Sequence, residues 1–332
     1  MQRRVVLVPR RLAKRLLQNI NQCVSYSSEI SAKYGWNKRT NPAPNGSWIN
    51  QKSVTWDPLE VLDVSTWLNR TSQDLGEMKE HFDNFGFVKI KKLIDTETGL
   101  NKYIEMHDDL QNGVIDAPGR HDLGSHEEQK REGTENVGQI MWPSDLVENS
   151  REGPLHERGF TISSFLLGND FAFDFDMLIY KDGMTDTETP WHQDEAYWPE
   201  GMVDKRAITV WCALDKATID NGAMWFIAGS HEHSLYHHEP AAEGAHILMT
   251  ESVSESTKGA VCVELEPGDA VLWHGRTCHY SRGNSTDHRR RSFITNFRPE
   301  HMVQWERDNG FDHLRKGFED YEEQMKVAKK NS

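Results

Sequence analysis

What this chain of 332 residues lacks narrows its class before any motif is read. It has four cysteines, Cys23, Cys212, Cys262 and Cys278, too few and too scattered for a disulfide framework or a zinc knuckle. A reducing intracellular compartment suits that usage. No stretch approaches the roughly 18 consecutive apolar residues of a membrane-spanning helix. Positive charge is in deficit: 38 Lys and Arg stand against 52 Asp and Glu, for a formal net charge of -14. That balance argues against a nucleic-acid partner, whose phosphates demand a basic face, and disfavours a strongly anionic substrate unless a local basic patch compensates. Neither an internal repeat nor a low-complexity tract is present. A hydrophobic fraction of 36% and a charged fraction of 27% describe a globular chain with enough length for a full core.

One local absence is of another kind. No acidic residue precedes Glu29, while Arg3, Arg4, Arg10, Arg11, Lys14 and Arg15 are interleaved with Leu12, Leu16 and Leu17. Residues 1–28 therefore read as a basic leader, either an organelle transit segment or a basic arm. The expected location is cytoplasmic, or mitochondrial or in another organelle where the leader is a transit segment. Residues 29–332 are expected to form one domain: a wrap and helices over 29–170, a β core over 171–298 and a helical tail over 299–332.

Within 29–170, Asn, Ser, Pro and Trp dominate the first forty residues without a sustained period, as in an extended wrapping segment. Ser72 or Asp74 then caps a helix carrying Leu75, Met78, His81 and Phe82, which stops at Gly86. Phe87-Val88-Lys89-Ile90 alternates as a strand, and a second helix is expected over Thr98 to Leu110. Residues 121–136 are charged and aperiodic, which predicts a mobile loop. From Phe171 onward short β runs follow one another: Phe171 to Tyr180, Ala207 to Leu214, Ala223 to Ile227, Ala260 to Leu265, Ala270 to His274 and Ser292 to Phe297. Turn residues such as Asn221-Gly222, Pro267-Gly268 and Gly283-Asn284 separate them. A mainly β fold with flanking helices, a sandwich or barrel, follows.

His192-Gln193-Asp194 places an imidazole and a carboxylate at i and i+2, on one face of an extended chain. Two neutral imidazoles and one carboxylate on one face form the facial set that iron(II) oxygenases use. The third ligand must come from a distant strand. His279 leads for that role, with His274 as competitor. Eleven residues past His279 stands Arg290, whose permanently charged fork suits the distal carboxylate of 2-oxoglutarate. Its neighbours Arg289 and Arg291 point the opposite way on a strand. The run His231, His233, His237 and His238 reads as a solvated loop.

These motifs resemble the phytanoyl-CoA dioxygenase family. The resemblance rests on Trp191-His192-Gln193-Asp194-Glu195-Ala196-Tyr197-Trp198, on Trp211 through Asn221-Gly222-Ala223 to Gly229-Ser230-His231, and on His279-Tyr280-Ser281-Arg282-Gly283-Asn284 ending at Arg290. Phe85-Gly86-Phe87-Val88 resembles the family's entry into the fold. The resemblance implies a double-stranded β-helix (a jelly-roll, cupin-like core). It implies Fe(2+) on His192, Asp194 and His279, with 2-oxoglutarate and O2 as co-substrates, and it reads His274 as a core or turn residue. Co-substrate contacts fall at Met177, Gln193, Trp211, Ser281 and Arg290. Trp191, Tyr197 and Trp198 are expected to line a small-molecule substrate. Where the family's CoA-ester enzymes carry Lys-Pro-Pro, this chain has Lys181-Asp182-Gly183, which questions an acyl-CoA substrate. Halogenating relatives carry a small residue where Asp194 stands, so Asp194 implies hydroxylation, desaturation or oxidative cyclisation. The alternative is a non-catalytic or zinc-binding β-barrel, which has no evident use for Arg290.

Strand parity yields a quantitative expectation. Arg290→Ala leaves a buried carboxylate unpaired, which costs on the order of 3–5 kcal/mol. 2-Oxoglutarate affinity, measured by titration, should then fall by roughly several hundred-fold or more. Arg289→Ala and Arg291→Ala should leave it within a few-fold. Selective weakening by Arg291→Ala instead would show the parity to be off by one.

Overall fold

In the computed structural model the described residues are 61–63, 72–125, 135–199, 201–242 and 247–315. The basic leader, most of the wrap and the end of the tail lie outside them. Among the described residues fourteen strands follow in order. They are β1 (Val61–Asp63), β2 (Phe87–Lys91), β3 (Arg120–Asp122), β4 (Gly138–Met141), β5 (Phe171–Lys181), β6 (Thr189–His192) and β7 (Ile208–Ala213). After them come β8 (Met224–Ile227), β9 (Glu239–Pro240), β10 (Leu248–Met249), β11 (Ala260–Val263), β12 (Ala270–His274), β13 (His279–Ser281) and β14 (Arg290–Pro299). The main helices are α1 (Ser72–Phe85), α2 (Leu100–Gln111), α3 (Pro154–Leu167) and α4 (Glu300–Asp308). No helix of the described residues is long and apolar enough to cross a membrane.

The strands form an eight-stranded sheet ordered β1-β2-β12-β7-β14-β5-β4-β3 and a four-stranded sheet ordered β11-β8-β13-β6. Every pairing in them is antiparallel except β1 with β2. Their facing sides meet in one cluster, with Phe87, Trp211, Val271, Trp273 and Ile294 from the large sheet against Met224 and Phe226 from the small one. Phe87 and Phe226 stack at 4.6 Å across that interface. This is the double-stranded β-helix.

The other face of the large sheet is covered by α1, α2 and α3, which explains why β7 has no solvent-exposed side. Ile208, Val210 and Cys212 pack outward into the cluster that includes Phe82, Leu110 and Ile162, while Trp211 and Ala213 pack inward. All six residues of β7 are buried, as expected of a strand covered on both faces. The helix α3 carries no signal drawn from the sequence above. Pro154 occupies its first turn, where a missing N–H is harmless, and Leu155, Ile162 and Leu166 form its buried face.

The segment 121–136, expected as a loop, begins instead as part of a hairpin. Arg120–Asp122 pairs with Gly138–Met141, and the Asp122 carboxylate accepts backbone N–H groups from Gly124, Asn136 and Val137, each at 2.9 Å. One charged side chain thus closes the base of the hairpin, a local device that composition hides. Residues 126–134 lie outside the described set.

Past α4 the chain returns to the barrel mouth. The register of β5 with β14 shifts between Asn296 and Phe297, leaving Asp174 as the extra residue of a bulge. Its buried carboxylate meets Arg298, Arg307 and His313, and Glu306 meets the same three. His313 stacks on Phe175 at 4.1 Å. His313 and Leu314 have φ values of 52° and 61°, left-handed conformations that cost a side chain roughly 1–2 kcal/mol each. The ion network holds His313 there.

Burial alone would lower the pKa of His313, but the carboxylates of Asp174 and Glu306 reverse this and raise it. A group whose pKa is raised on folding stabilises the fold fully below its unfolded value and loses that contribution as pH climbs through the raised one. The urea midpoint should therefore fall as pH rises above about 6.5, the ordinary histidine value. In His313→Gln that slope should flatten; an equal slope in both proteins would remove His313 from the stabilising set.

Candidate metal and co-substrate site

His192 closes β6 and His279 opens β13, and the two are direct partners across the small sheet. Gln193 remains extended, at φ -121° and ψ 132°, before the chain turns into a 3-10 turn at Asp194. The extended geometry thus survives one residue beyond the strand, long enough to put His192 and Asp194 on one side. Asp194 Oδ1 lies 3.8 Å from His192 Nε2 and 3.4 Å from His279 Nε2. Facial ligands about 2.1 Å from one metal sit roughly 3 Å apart, so the three groups are close to a coordinating arrangement.

Each donor is fixed by a second contact. His192 Nδ1 donates to the Pro190 carbonyl at 2.7 Å and His279 Nδ1 to the Thr277 carbonyl at 2.9 Å, leaving both Nε2 lone pairs facing the centre. Asp194 Oδ2 accepts from Thr209 Oγ1 at 2.8 Å and Trp273 Nε1 at 2.9 Å, which leaves Oδ1 for a metal. Burial, helped by the neighbouring His279, pushes the His192 pKa down to about 3, so its imidazole stays neutral. The donor set fits iron(II), as two neutral nitrogens and one carboxylate oxygen on one side.

The triad opens on a cavity of about 220 Å³. At its far end sits Arg290, only 1% exposed. Its hydrogen bonds are long and neutral: Asn221 O at 3.3 Å and Ser292 Oγ at 3.4 Å. Burial pushes its pKa down to about 10, the mark of a cation without a close counter-charge. The Trp211 ring lies 5.3 Å from its guanidinium carbon. Gly222, at φ +90°, brings the Asn221 turn against this group; an added Cβ would stand 3.1 Å from Arg290 Nη2 and 2.7 Å from the Arg282 carbonyl. A buried guanidinium with no carboxylate is a receptor for one, and the distal carboxylate of 2-oxoglutarate fits. Arg289 and Arg291 point away, to Asp182 at 2.5 Å and to Asp215 at 2.8 Å.

Met177, Trp211 and Ser281 line the same cavity, as do Tyr197 and Trp198. Two expected contacts do not. Gln193 donates from Nε2 to the Arg276 carbonyl at 2.7 Å and accepts from Tyr236 N at 2.8 Å, so it joins two loops outside the cavity lining. Trp191 stacks on Tyr280 at 5.0 Å, away from the cavity, because alternation along β6 turns it opposite to His192. His274 is not in the triad: burial lowers its pKa to about 3, and its Nδ1 accepts from Arg276 N at 3.0 Å. The histidine run is less solvated than expected, since His238 Nε2 accepts from Gln193 N at 3.1 Å, next to the triad. Lys181, at the departure from Lys-Pro-Pro, is buried with Nζ on the carbonyls of Thr187, Ser281 and Arg282.

Thr209, Trp273 and Asn296 went unnoticed in the sequence. Alternation from Trp211 would have found Thr209, and alternation from Arg290 would have found Asn296. Phe311, His313 and Leu314 also line the cavity, and nothing in their local pattern announces it. A second His–carboxylate grouping, Asp174, Glu306 and His313, is an ion network with Arg298 and Arg307 in place of any metal.

The chain is similar to known proteins in sequence and in fold. The family model described as Phytanoyl-CoA dioxygenase (PhyH) matches residues 82–292. A phytanoyl-CoA dioxygenase of Arabidopsis thaliana is 26% identical over 185 residues, covering 52% of this chain and 64% of that protein. A probable alpha-ketoglutarate-dependent hypophosphite dioxygenase of Stutzerimonas stutzeri is 24% identical over 226 residues, 67% of this chain and 77% of that one. Among solved structures, EvdO2 of Micromonospora carbonacea var. aurantiaca in complex with 2-oxoglutarate matches with TM-score 0.54 and 26% identity, over 67% of this chain and 89% of its own. The carbocyclase SnoK from nogalamycin biosynthesis, at 19% identity and TM-score 0.55 over 67% of this chain and 83% of its own, shares the fold.

The contacts behind Asp194 generate a test. Thr209→Val and Trp273→Phe each remove one donor to Oδ2 and should weaken Fe(II) binding by roughly 10–100-fold in anaerobic titrations. Unchanged affinity in both variants would mean that Asp194 is not held by them.

Proposed function

This chain belongs to the phytanoyl-CoA dioxygenase family, and we propose that it is an iron(II)- and 2-oxoglutarate-dependent dioxygenase acting on an unactivated C–H bond of a small organic substrate. The reaction is hydroxylation, desaturation or oxidative cyclisation. The observation that carries this reading is Arg290, a buried cation without a carboxylate partner, in one cavity with a two-histidine, one-carboxylate set. His192, Asp194 and His279 would hold iron(II), which with 2-oxoglutarate and O2 would supply the oxidising power, succinate and CO2 being the co-products.

The contribution of the chain itself is binding, orientation and exclusion of water. His192 and His279 offer neutral Nε2 atoms because each Nδ1–H is committed to a carbonyl. Asp194 offers one oxygen because Thr209 and Trp273 hold the other. Arg290 would pair with the distal carboxylate of 2-oxoglutarate and so orient that molecule in the cavity. Phe175, Tyr197, Trp198, Ile247, Phe311 and Leu314 form an apolar wall that keeps solvent from the reacting carbon. A zinc-binding or non-catalytic barrel would leave Arg290 desolvated to no purpose.

Anaerobic protein given Fe(II) and 2-oxoglutarate should develop a weak visible charge-transfer band that His192→Ala lacks. On admission of O2 with a metabolite panel, 2-oxoglutarate should disappear and succinate appear in equal amounts. Iron binding by His192→Ala equal to wild type, or a band that forms without 2-oxoglutarate, would overturn the assignment.

A further inference from the structure

A hydrogen-bonded relay leads from the metal carboxylate into the substrate side of the cavity. Asp194 Oδ2 can only accept, so the Thr209 hydroxyl donates to it at 2.8 Å. The same hydroxyl oxygen is then left as an acceptor, and Asn296 Nδ2 donates to it at 2.9 Å. The sequence of donors therefore fixes which way the Asn296 amide faces: Oδ1 is the atom turned away from Thr209. Asn296 is 3% exposed, lines the cavity, and its Oδ1 is buried with no hydrogen-bond partner. Other buried side-chain atoms in that condition, such as those of His107 and Tyr180, belong to residues outside the cavity lining. Among the described residues, Asn296 alone combines an orphaned atom with a place in that lining.

The inward direction follows from β14. Arg290, Ser292, Ile294 and Asn296 share one face, and Asn296 is opposite Thr209 on β7 and Phe175 on β5. Arg290 marks the co-substrate end of that face and Asn296 the end beside Asp194. Phe175, opposite Asn296 on β5, and Tyr197, Trp198, Phe311 and Leu314 share the cavity lining with it. The charges that face this end are committed: Asp194 to the triad, Arg290 to the co-substrate, and His313 to Asp174 and Glu306 at 3.3 Å. His121, the remaining basic residue of the lining, has Nδ1 3.4 Å from the Gly119 carbonyl.

We propose that Asn296 Oδ1 is the substrate's anchor, accepting a hydrogen bond from a hydroxyl or amide N–H of a neutral, mainly apolar molecule held beside Asp194. The inference rests on the oxygenase reading above. An inward acceptor selects a donor-bearing substrate and rejects its alkylated form, which leaves the amide oxygen unpaired. With no uncommitted cation in the described wall, an anionic end has nothing to pair with there. Asn296 is a specificity-determining residue in this scheme, and its link to Thr209 keeps the acceptor aimed while Asp194 is held.

The test uses protein loaded with Zn(II) and 2-oxoglutarate, which binds without turnover. The probes are cyclohexanols, phenols and benzanilides, each paired with its O-methyl or N-methyl counterpart, and their affinities are ranked by competition saturation-transfer NMR. Wild type should prefer donor-bearing members on the order of tenfold, the worth of one net hydrogen bond. Comparing the alcohol pairs with the amide pairs tells which donor fits. In Asn296→Leu the preference should vanish or invert, with 2-oxoglutarate affinity within a few-fold of wild type as the check on folding. Thr209→Val, which removes the contact that aims the amide, should weaken the preference at saturating Zn(II) while 2-oxoglutarate still binds, a coupling that a merely structural Asn296 would not give. Equal affinities within pairs for wild type, or a preference that survives in Asn296→Leu, overturns the proposal alone. Failure of wild type to bind 2-oxoglutarate overturns the oxygenase reading beneath it.

Discussion

The two-residue period of β14 is the constraint on which the site depends. One strand, buried on both faces, sends Arg290, Ser292, Ile294 and Asn296 into the barrel and Phe293 and Phe297 into the helical layer. A slip of one residue would exchange the two sets, putting phenylalanines into the cavity and a guanidinium into the core under α2 and α3. The outer layer resists that slip. Tyr103 packs edge-on against Phe293, and Phe160 does the same against Phe297. The hydrophobic helices thus hold the register that aims the polar groups, and core packing and chemistry are opposite faces of one strand.

Much of this was legible because the relevant residues carry their own local signal. The histidine–aspartate pair, the later His279 and the arginine triplet could be read by spacing and parity, and turn dipeptides marked off the strands between them. Gln193 shows how a sound local argument can be overruled. If His192 and Asp194 face inward from extended chain, the residue between them faces outward, yet resemblance suggested a co-substrate contact. Its bonds to the Arg276 carbonyl and Tyr236 N follow the parity. Trp191 fails for the same reason, one residue earlier.

What stayed hidden depends on contacts distant in sequence. Asp122 gathers three backbone donors at the neck of a stretch whose composition signals only solvation. His238 is brought to Gln193 by a loop with no regular pattern. The wall made by Phe311, His313 and Leu314 exists because a bulge frees Asp174 to meet Arg307 and His313, an event no periodicity announces.

That wall lies beyond the stretch shared with the family, which ends at residue 292. The His192, Asp194 and His279 triad and Arg290 fall inside the shared stretch, while Ile294, Asn296, Phe311, His313 and Leu314 follow it. The chain therefore keeps the triad and Arg290 inside the matched stretch and completes the pocket wall, begun there by Phe175, Tyr197, Trp198 and Ile247, with a C-terminal appendix beyond it. Mutations accumulating in the appendix can redraw the pocket without touching a ligand. In such a layout a lineage can explore new compounds while its redox chemistry stays intact.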